Sequence, residues 1–369
     1  MASIFKRGKK WSYNVLIGRD PLTGKRKQKS KSGFNTKKEA EIAAAKIESE
    51  IYDGNYVEVT KATFDAVAQE YFKTVAKNKM RDSTYQNRLD NYNKRIEPVL
   101  GKRKIKDITP AQIQTIYSDW ADEGLSSSYA RTLHNFIASV FKYAYRVDHI
   151  KRNPIEKVDA PIPKSKDLDV WDSDEIKKFL KVARNHETFI IYYLAIYTGM
   201  RKGEILGLRW KDVDFKNNKI HVTQTLVKVN EEIKFQEPKT KGSKRQIALT
   251  SAEMLELKKH RLTKNIQSET DLVVTTSVGT PYSPRNLLRN FHMIIDEADV
   301  KKISFRDLRH THATLLLKLG VNPKIVSERL GHSKVSITLD IYSHVLPDMQ
   351  ESSAQQLSDH LNGKAKKKV

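Results

Sequence analysis

Hydrophobic residues recur at every second position from Trp11 to Ile17 and at every third or fourth from Phe64 to Ala144. No single element type satisfies both periods, so the chain must change architecture between them. Trp11, Tyr13, Val15 and Ile17 alternate with polar residues, the pattern of a half-buried strand. Asp20-Pro21-Leu22-Thr23-Gly24 supplies turn chemistry, with Pro fixing φ and Gly accepting positive φ. Lys25 to Ser32 then reads as a second, very basic strand. Thr36 with Glu39 three residues on forms a capping box, and Ala40, Ala43, Ala44, Ile47 and Ile51 make one helical stripe. Residues 1–55 are thus expected to form a small basic sheet backed by a helix.

From Thr63 the period is helical, with Phe64, Val67, Ala68, Tyr71, Phe72 and Val75 on one face. A second helix is expected near Ser83. A third has Thr109 as cap, Pro110 at its first position and Gly124 at its end. A fourth runs from about Ser127 to Val147, with Leu133, Phe136, Ile137, Val140, Phe141 and Ala144 inward and Asn153-Pro154 marking its end. These make an all-helical module over residues 60–156. Residues 157–170, with two prolines and alternating charge, read as an extended linker. A third region, 171–361, mixes helices with short strands expected at Lys219–Thr225, Arg245–Leu249 and Leu272–Thr275. Residues 362–369 are a basic tail of the kind that is usually a solvated end.

Charge narrows the partner. Lys and Arg number 67 against 44 Asp and Glu, a net charge of +23, and residues 1–38 carry twelve basic residues against Asp20 alone. A basic terminus can be a disordered solubilising tail, but the strand period within it argues for a fold, and a charged sheet suits phosphates. The chain has no cysteine, which removes disulfide frameworks, Cys-ligated zinc, iron–sulfur clusters and thiol nucleophiles. No GxxxxGK[ST] loop points to ATP. The N-terminus lacks an apolar signal region, and the longest apolar stretch, Phe189 to Met200, is too short to span a bilayer. A soluble, intracellular, strongly basic protein whose partner is a polyanion is the expectation.

Several polar residues sit against strong apolar runs in the third region. Arg201 follows IIYYLAIYTGM, where a surface Arg near a helix C-terminus is the bland reading. Arg309 lies in SFRDLRHTHATLLL, and burying it costs several kcal/mol unless an anion meets it. His310 and His312 point about 200° apart on a helix, whereas a helical metal chelate needs i, i+4 spacing. His332 after a Gly cap, and Tyr342 among 15 tyrosines, both have ordinary structural readings.

Taken in order, TGMRKGEILGLRW (198–210), EPKTKGSKRQIAL (237–249), SFRDLRHTHATLLL (304–317), RLGHS (329–333) and TLDIYSHV (338–345) resemble the catalytic domain of tyrosine recombinases, specifically the integrases of phages and conjugative transposons of Gram-positive bacteria. The resemblance spans nearly the whole chain. It implies a multidomain α+β fold: an arm-type DNA-binding domain of three strands and a helix (1–55), an all-α core-binding domain (60–156), and a mixed, mainly helical catalytic domain (171–361). It implies site-specific cutting and rejoining of DNA through a 3′-phosphotyrosyl intermediate, integrating and excising a mobile element without metal, ATP or other cofactor. On that likeness Tyr342 is the nucleophile, Arg201 and Arg309 hold the phosphate, Lys239 protonates the leaving 5′-oxygen, and His332 assists. Glu204 and Asp307 are orienting residues. Lys9, Lys10, Lys25, Arg26, Lys27 and Lys29 are the candidate arm contacts to DNA.

The implied partners are duplex attachment sites of core and arm types and further copies of the chain in a homotetrameric synaptic complex, with a host bending protein and an excision factor as optional ones. After Tyr342, a helix over Pro347 to Leu361 with Ala354, Leu357 and Leu361 on one side resembles the segment that contacts a neighbouring subunit. One position departs from the family: Arg306 stands where His, sometimes Lys, is usual. Arg donates to phosphate but cannot act as a base, which leaves a slow enzyme or a base role carried by His332 as the open alternatives for deprotonating Tyr342. A chromosome-dimer-resolving recombinase, a type IB topoisomerase, and a DNA-binding regulator with a weakened active site are the alternatives.

Overall fold

Strands β1 (Ser3–Arg7), β2 (Lys10–Arg19) and β3 (Arg26–Phe34) form an antiparallel sheet in the order β1-β2-β3 in a computed structural model of the chain. The structure describes residues 2–19, 24–53, 61–164, 168–229, 232–238, 241–342 and 348–362. Two compact units, 1–164 and 165–369, make up the chain.

In the first unit, helix α1 (Lys37–Tyr52) covers one face of the sheet, burying Tyr13, Val15 and Ala44 between them. The strand alternation placed β2, and the basic run after the turn placed β3. Neither placed β1, whose side chains are mostly exposed and carry no alternating pattern. The expected turn at 20–23 lies outside the described residues. The capping box is displaced by one residue: Thr36 accepts from the Glu39 N–H, while the Glu39 carboxylate accepts from the N–H of Asn35.

The helical module follows, with α2 (Phe64–Tyr71), α3 (Lys77–Lys79), α4 (Asp82–Asn91), α5 (Pro110–Asp122) and α6 (Ser127–Arg146). A π-helical turn over Phe72–Ala76 joins α2 to α3. Its wider turn displaces the inward stripe, so that Ala76 is buried and the expected Val75 only half-buried. A second π segment, Tyr92–Gly101, contains Pro98, which has no N–H to donate. Thr109 and Gln112 make a complete capping box at α5, with Pro110 in the first turn as expected. Helix α6 buries Leu133, Phe136, Ile137, Val140, Phe141 and Ala144. It stops at Arg146, short of Asn153-Pro154, because the chain turns at Asp148 with φ +60°. Asn153 instead caps a short 3-10 turn, Pro154–Lys157.

The second unit contains α7 (Ser173–Ala183), α8 (Phe189–Thr198), α9 (Lys202–Leu206) and α10 (Ser251–Leu262). Strands β4 (Val213–Asp214), β5 (Lys219–Val222) and β8 (Arg245–Ala248) form one small sheet, and β6 (Thr225–Val229) pairs with β7 (Glu232–Gln236) as a hairpin. The strand expected over Lys219–Thr225 therefore divides, its end opening β6. The one expected at Leu272–Thr275 is absent: those residues make only isolated bridges, Arg209 to Leu272 and Thr275 to Pro281. Five further helices are α11 (Pro284–Ala298), α12 (Asp307–Lys318), α13 (Pro323–Leu330), α14 (Val335–Tyr342) and α15 (Asp348–Leu361).

Helix α8 is apolar all round, and every residue from Ile190 to Ile196 is buried, which makes it the central element of this unit. Trp171, Phe179, Tyr192, Phe291 and Phe305 pack as linked ring pairs around it. Each such fully buried aromatic contributes on the order of 2 kcal/mol by removal from water. Among the described residues no helix is long and apolar enough to cross a membrane.

Candidate active site

Gly199 ends α8 in the left-handed region, φ +64°. A Cβ there would lie 2.7 Å from both His312 Cδ2 and Leu330 Cδ2, so only glycine permits this turn at this packing. Two residues later Arg201 stands at the N-cap of α9 with its side chain 45% exposed. Glu204 fixes it: the carboxylate accepts from the Arg201 backbone N–H at 2.9 Å and from its Nη1 at 2.8 Å.

The same carboxylate accepts from Arg245 Nη2 at 3.0 Å and Nη1 at 3.3 Å, and both side chains of that pair are about 95% buried (5% and 4% exposed). Burial pushes the Glu204 pKa upward, but Arg245 and then Arg201 outweigh it and hold the group below the usual carboxylate range. Arg245 also donates from Nε to the Arg329 carbonyl at 2.6 Å, which ties β8 to α13. Glu204 thus does orient an arginine, as expected. Arg245 is a residue that sequence reasoning missed; its only signal was a basic residue opening a short apolar strand. Asp307 accepts from the Ser304 N–H at 2.7 Å and so fixes the backbone at the entry to α12.

Arg309, on α12, is buried. It donates Nη1 to the Gly199 carbonyl and Nη2 to the Leu330 carbonyl, both at 2.7 Å. These bonds aim the guanidinium between the end of α8 and the end of α13. Both acceptors are neutral, and among the described residues no carboxylate forms an ion pair with it. Burial, with Arg201 and Arg245 close by, pulls its pKa down to about 9. Three of its five N–H groups remain for an anion. A site with Arg201, Arg245 and Arg309 around the carboxylate of Glu204 is electropositive and partly desolvated, the setting in which a phosphate is bound strongly.

Helix α13 ends at Gly331, φ +69°, and delivers His332. Its Nδ1 lies 2.8 Å from Thr338 Oγ1, a fully buried hydroxyl on α14. Burial and the neighbouring cations Arg309 and Arg201 push the imidazole down to about 4, so it is neutral near pH 7.

Tyr342, the last residue of α14, has no exposed surface. Its hydroxyl is 2.6 Å from His310 Nδ1. Burial raises the phenol to about 12, against the opposing pull of Arg309 and Arg306. Arg306 is exposed at the N-cap of α12. Lys239 lies outside the described residues.

The His310 and His312 side chains part company. His312 Nδ1 lies 2.7 Å from the Ile196 carbonyl, and Arg329 Nε donates to its Nε2 at 3.1 Å. Both of its ring nitrogens are thereby committed to packing. Burial and Arg329 push its pKa to about 3. His310 is the histidine that sequence reasoning passed over as half of an unpromising metal pair. The signal was its place one residue after Arg309 and one helical turn after Arg306.

The candidate DNA residues of the first unit do not share one face. Lys27 and Lys29 alternate with Arg26 along β3, and Lys29 pairs with Val15 on the side that α1 covers. Lys29 is half-buried, whereas Lys25, Arg26 and Lys27 are exposed. Lys9 and Lys10 are exposed at the β1–β2 turn, where the Lys10 ammonium bonds the Asn35 side chain.

Comparison with known proteins gives a consistent result. Residues 169–349 match the model described as the phage integrase family, residues 3–51 an arm DNA-binding domain, and residues 63–121 an N-terminal SAM-like domain of phage integrases. A tyrosine recombinase XerC-like protein of Caldanaerobacter subterraneus is 33% identical, covering 96% of this chain and 97% of its own. The ICEBs1 integrase of Bacillus subtilis is 26% identical over 95% and 97%. Among solved structures, the Tn1549 transposon integrase in complex with a circular intermediate DNA superposes with a TM-score of 0.70 at 18% identity, covering 80% of this chain and 99% of that one.

Proposed function

The chain belongs to the phage integrase family of tyrosine recombinases, and from that premise we propose how its residues cut and rejoin DNA. It is an integrase of the phage and conjugative-transposon type. The observation that carries the assignment of roles is the convergence of Arg201, Arg309, His332 and Tyr342 from α9, α12, the end of α13 and α14.

Arg201 and the free N–H groups of Arg309 bind the non-bridging oxygens of the scissile phosphate. Because Glu204 and two backbone carbonyls already fix these guanidinium groups, they need little reorganisation as charge grows on the pentacoordinate phosphorus. With its Nδ1 taken up by Thr338, His332 presents Nε2 to the same phosphate. The Tyr342 oxygen attacks phosphorus, the P–O5′ bond breaks, and Lys239 protonates the departing 5′-oxygen. The 3′-phosphotyrosyl bond replaces one phosphodiester by another, so the partner strand's 5′-hydroxyl can later reverse the step without ATP. Since Tyr342 is covered in the free chain, cleavage follows a shift of α14 that admits the phosphate.

Residues 1–55 would bind arm-type sites on duplex DNA, while the helical module and the catalytic region hold the core site. Four copies would act in synapsis. The helix α15 supports that reading, for Ala354, Leu357 and Leu361 are exposed on it within one chain. The experiment is incubation with a nicked suicide duplex carrying the crossover site, in EDTA and without ATP. Covalent protein–DNA adduct from the wild type and none from Tyr342→Phe is expected. Tight binding without adduct would instead support a DNA-binding protein with an inactive site.

A further inference from the structure

We propose that His310 is the base that takes the proton from the attacking Tyr342 hydroxyl. The inference rests on the assignment of Tyr342 as nucleophile. It answers a need created by Arg306, which occupies the position where the family usually carries His or Lys and which cannot accept a proton.

His310 follows Arg306 by four residues on α12, so the two side chains lie on one helix face. An imidazole has in effect moved one turn along the helix. Its Nδ1 stands 2.6 Å from Tyr342 Oη, within the distance that proton abstraction requires. It also directly follows Arg309, whose guanidinium is bonded at the ends of α8 and α13. Among the described residues, no other nitrogen or oxygen is bonded to that hydroxyl.

The surroundings keep His310 in the form that accepts a proton. The charged and titratable groups facing it are Arg306, Asp307 and Arg309 on its own helix, Tyr342 on α14, and His332 after α13. Burial first, then Arg306, lowers its pKa, and Asp307 alone opposes them among the charged neighbours. Arg306 also favours the phenolate form of Tyr342. Its charge therefore complements the displaced imidazole.

The step balances as follows. As the Oη–P bond forms, the Oη proton passes to Nδ1; the P–O5′ bond breaks, and the 5′-oxygen takes a proton from the acid assigned to Lys239. In the reverse step a 5′-hydroxyl attacks phosphorus as its proton passes to the neutral amine of the acid assigned to Lys239, the Oη–P bond breaks, and the imidazolium returns its proton to Tyr342.

The test is single-turnover adduct formation by the full chain on the nicked suicide duplex across about pH 5 to 9, with DNA affinity and thermal melting measured alongside. His310→Asn keeps a hydrogen-bond acceptor near the place of Nδ1 but cannot titrate. Cleavage by that variant is expected to fall at least about 100-fold with DNA affinity retained. The wild-type rate is expected to fall on the acid side, at a pH below the ordinary imidazole range because burial and Arg306 lower the His310 pKa, and His310→Asn to lack that acid limb. If Asn cleaves within about threefold of wild type with the same pH profile, His310 only anchors the tyrosine and the inference is overturned.

Should His310→Asn not fold, Arg306→Ala decides. Removing that charge raises the His310 pKa, so the acid limb must move to higher pH. An unmoved limb, or no limb in the wild type, overturns the inference. Adduct from Tyr342→Phe would overturn the nucleophile assignment itself, whatever His310 variants do.

Discussion

Replacing Glu204 by Ala removes the carboxylate that pairs with both Arg201 and Arg245, and the structure fixes what that costs. Arg201 is nearly half exposed and water screens its charge, so its share of the loss is small. Arg245 is not screened: its guanidinium and the Glu204 carboxylate are both about 95% buried (5% and 4% exposed). Truncation would leave that cation buried and unpaired beside Arg309. Breaking a buried pair from one side costs roughly 3 to 5 kcal/mol. For a folding unit of this size each kcal/mol lowers Tm by about 2 to 4 °C, so the expected drop is about 6 to 20 °C.

Thermal unfolding of the full chain, followed by circular dichroism, measures it. The pH dependence has a definite sign. The folded pKa of Glu204 lies below its ordinary value of 4.5, so the contribution is complete above that pH and is lost as pH falls through the folded value. The gap between wild type and Glu204→Ala should therefore narrow in acid. A Tm within about 2 °C of wild type at neutral pH would refute the reasoning, because Arg245 would then need no partner.

Three further outcomes are expected. Gly199→Ala combines a positive φ with a Cβ 2.7 Å from two buried side chains, and should lose at least about 2 kcal/mol in urea unfolding; a neutral result would mean the turn relaxes freely. Arg306→His should keep or raise cleavage in the suicide-duplex assay, and a large loss would show that the charge of Arg306 is indispensable there. Substituting Lys25 and Lys27, both exposed, together by Gln should reduce the steepness of log K against log[salt] for arm-site DNA by about 2, each phosphate contact contributing about 0.9. An unchanged slope would place the arm contacts elsewhere.

What could be read from the chain follows a physical divide. Local rules placed the elements that depend on local signals. Thr109 and Pro110 start α5, the Phe189–Thr198 run forms the central helix, and Tyr13 and Val15 alternate into the core of the first unit. Local rules failed where a neighbour in space decides. The π turn at Phe72–Ala76 exchanges Val75 for Ala76 in the core, and nothing in the hydrophobic period announces an extra residue in a helical turn. The pairing of Arg245 with Glu204 spans 41 positions and that of His310 with Tyr342 spans 32. Neither has a local signature. Considered alone, His310 is an ordinary buried histidine, and only the approach of α14 gives it a role. The resemblance to recombinases supplied Arg201, Arg309, His332 and Tyr342 as a set. Of the groups that hold them it supplied Glu204, but not Arg245, Thr338 or His310.

The central claim is that Tyr342 forms the covalent bond to DNA. The most direct measurement is to trap the adduct on the suicide duplex, digest it with trypsin and nuclease, and sequence the modified peptide by mass spectrometry. The expected product is a nucleotide joined through its 3′-phosphate to the hydroxyl of Tyr342 and to no other residue. A linkage on a different side chain, or through a 5′-phosphate, would contradict it.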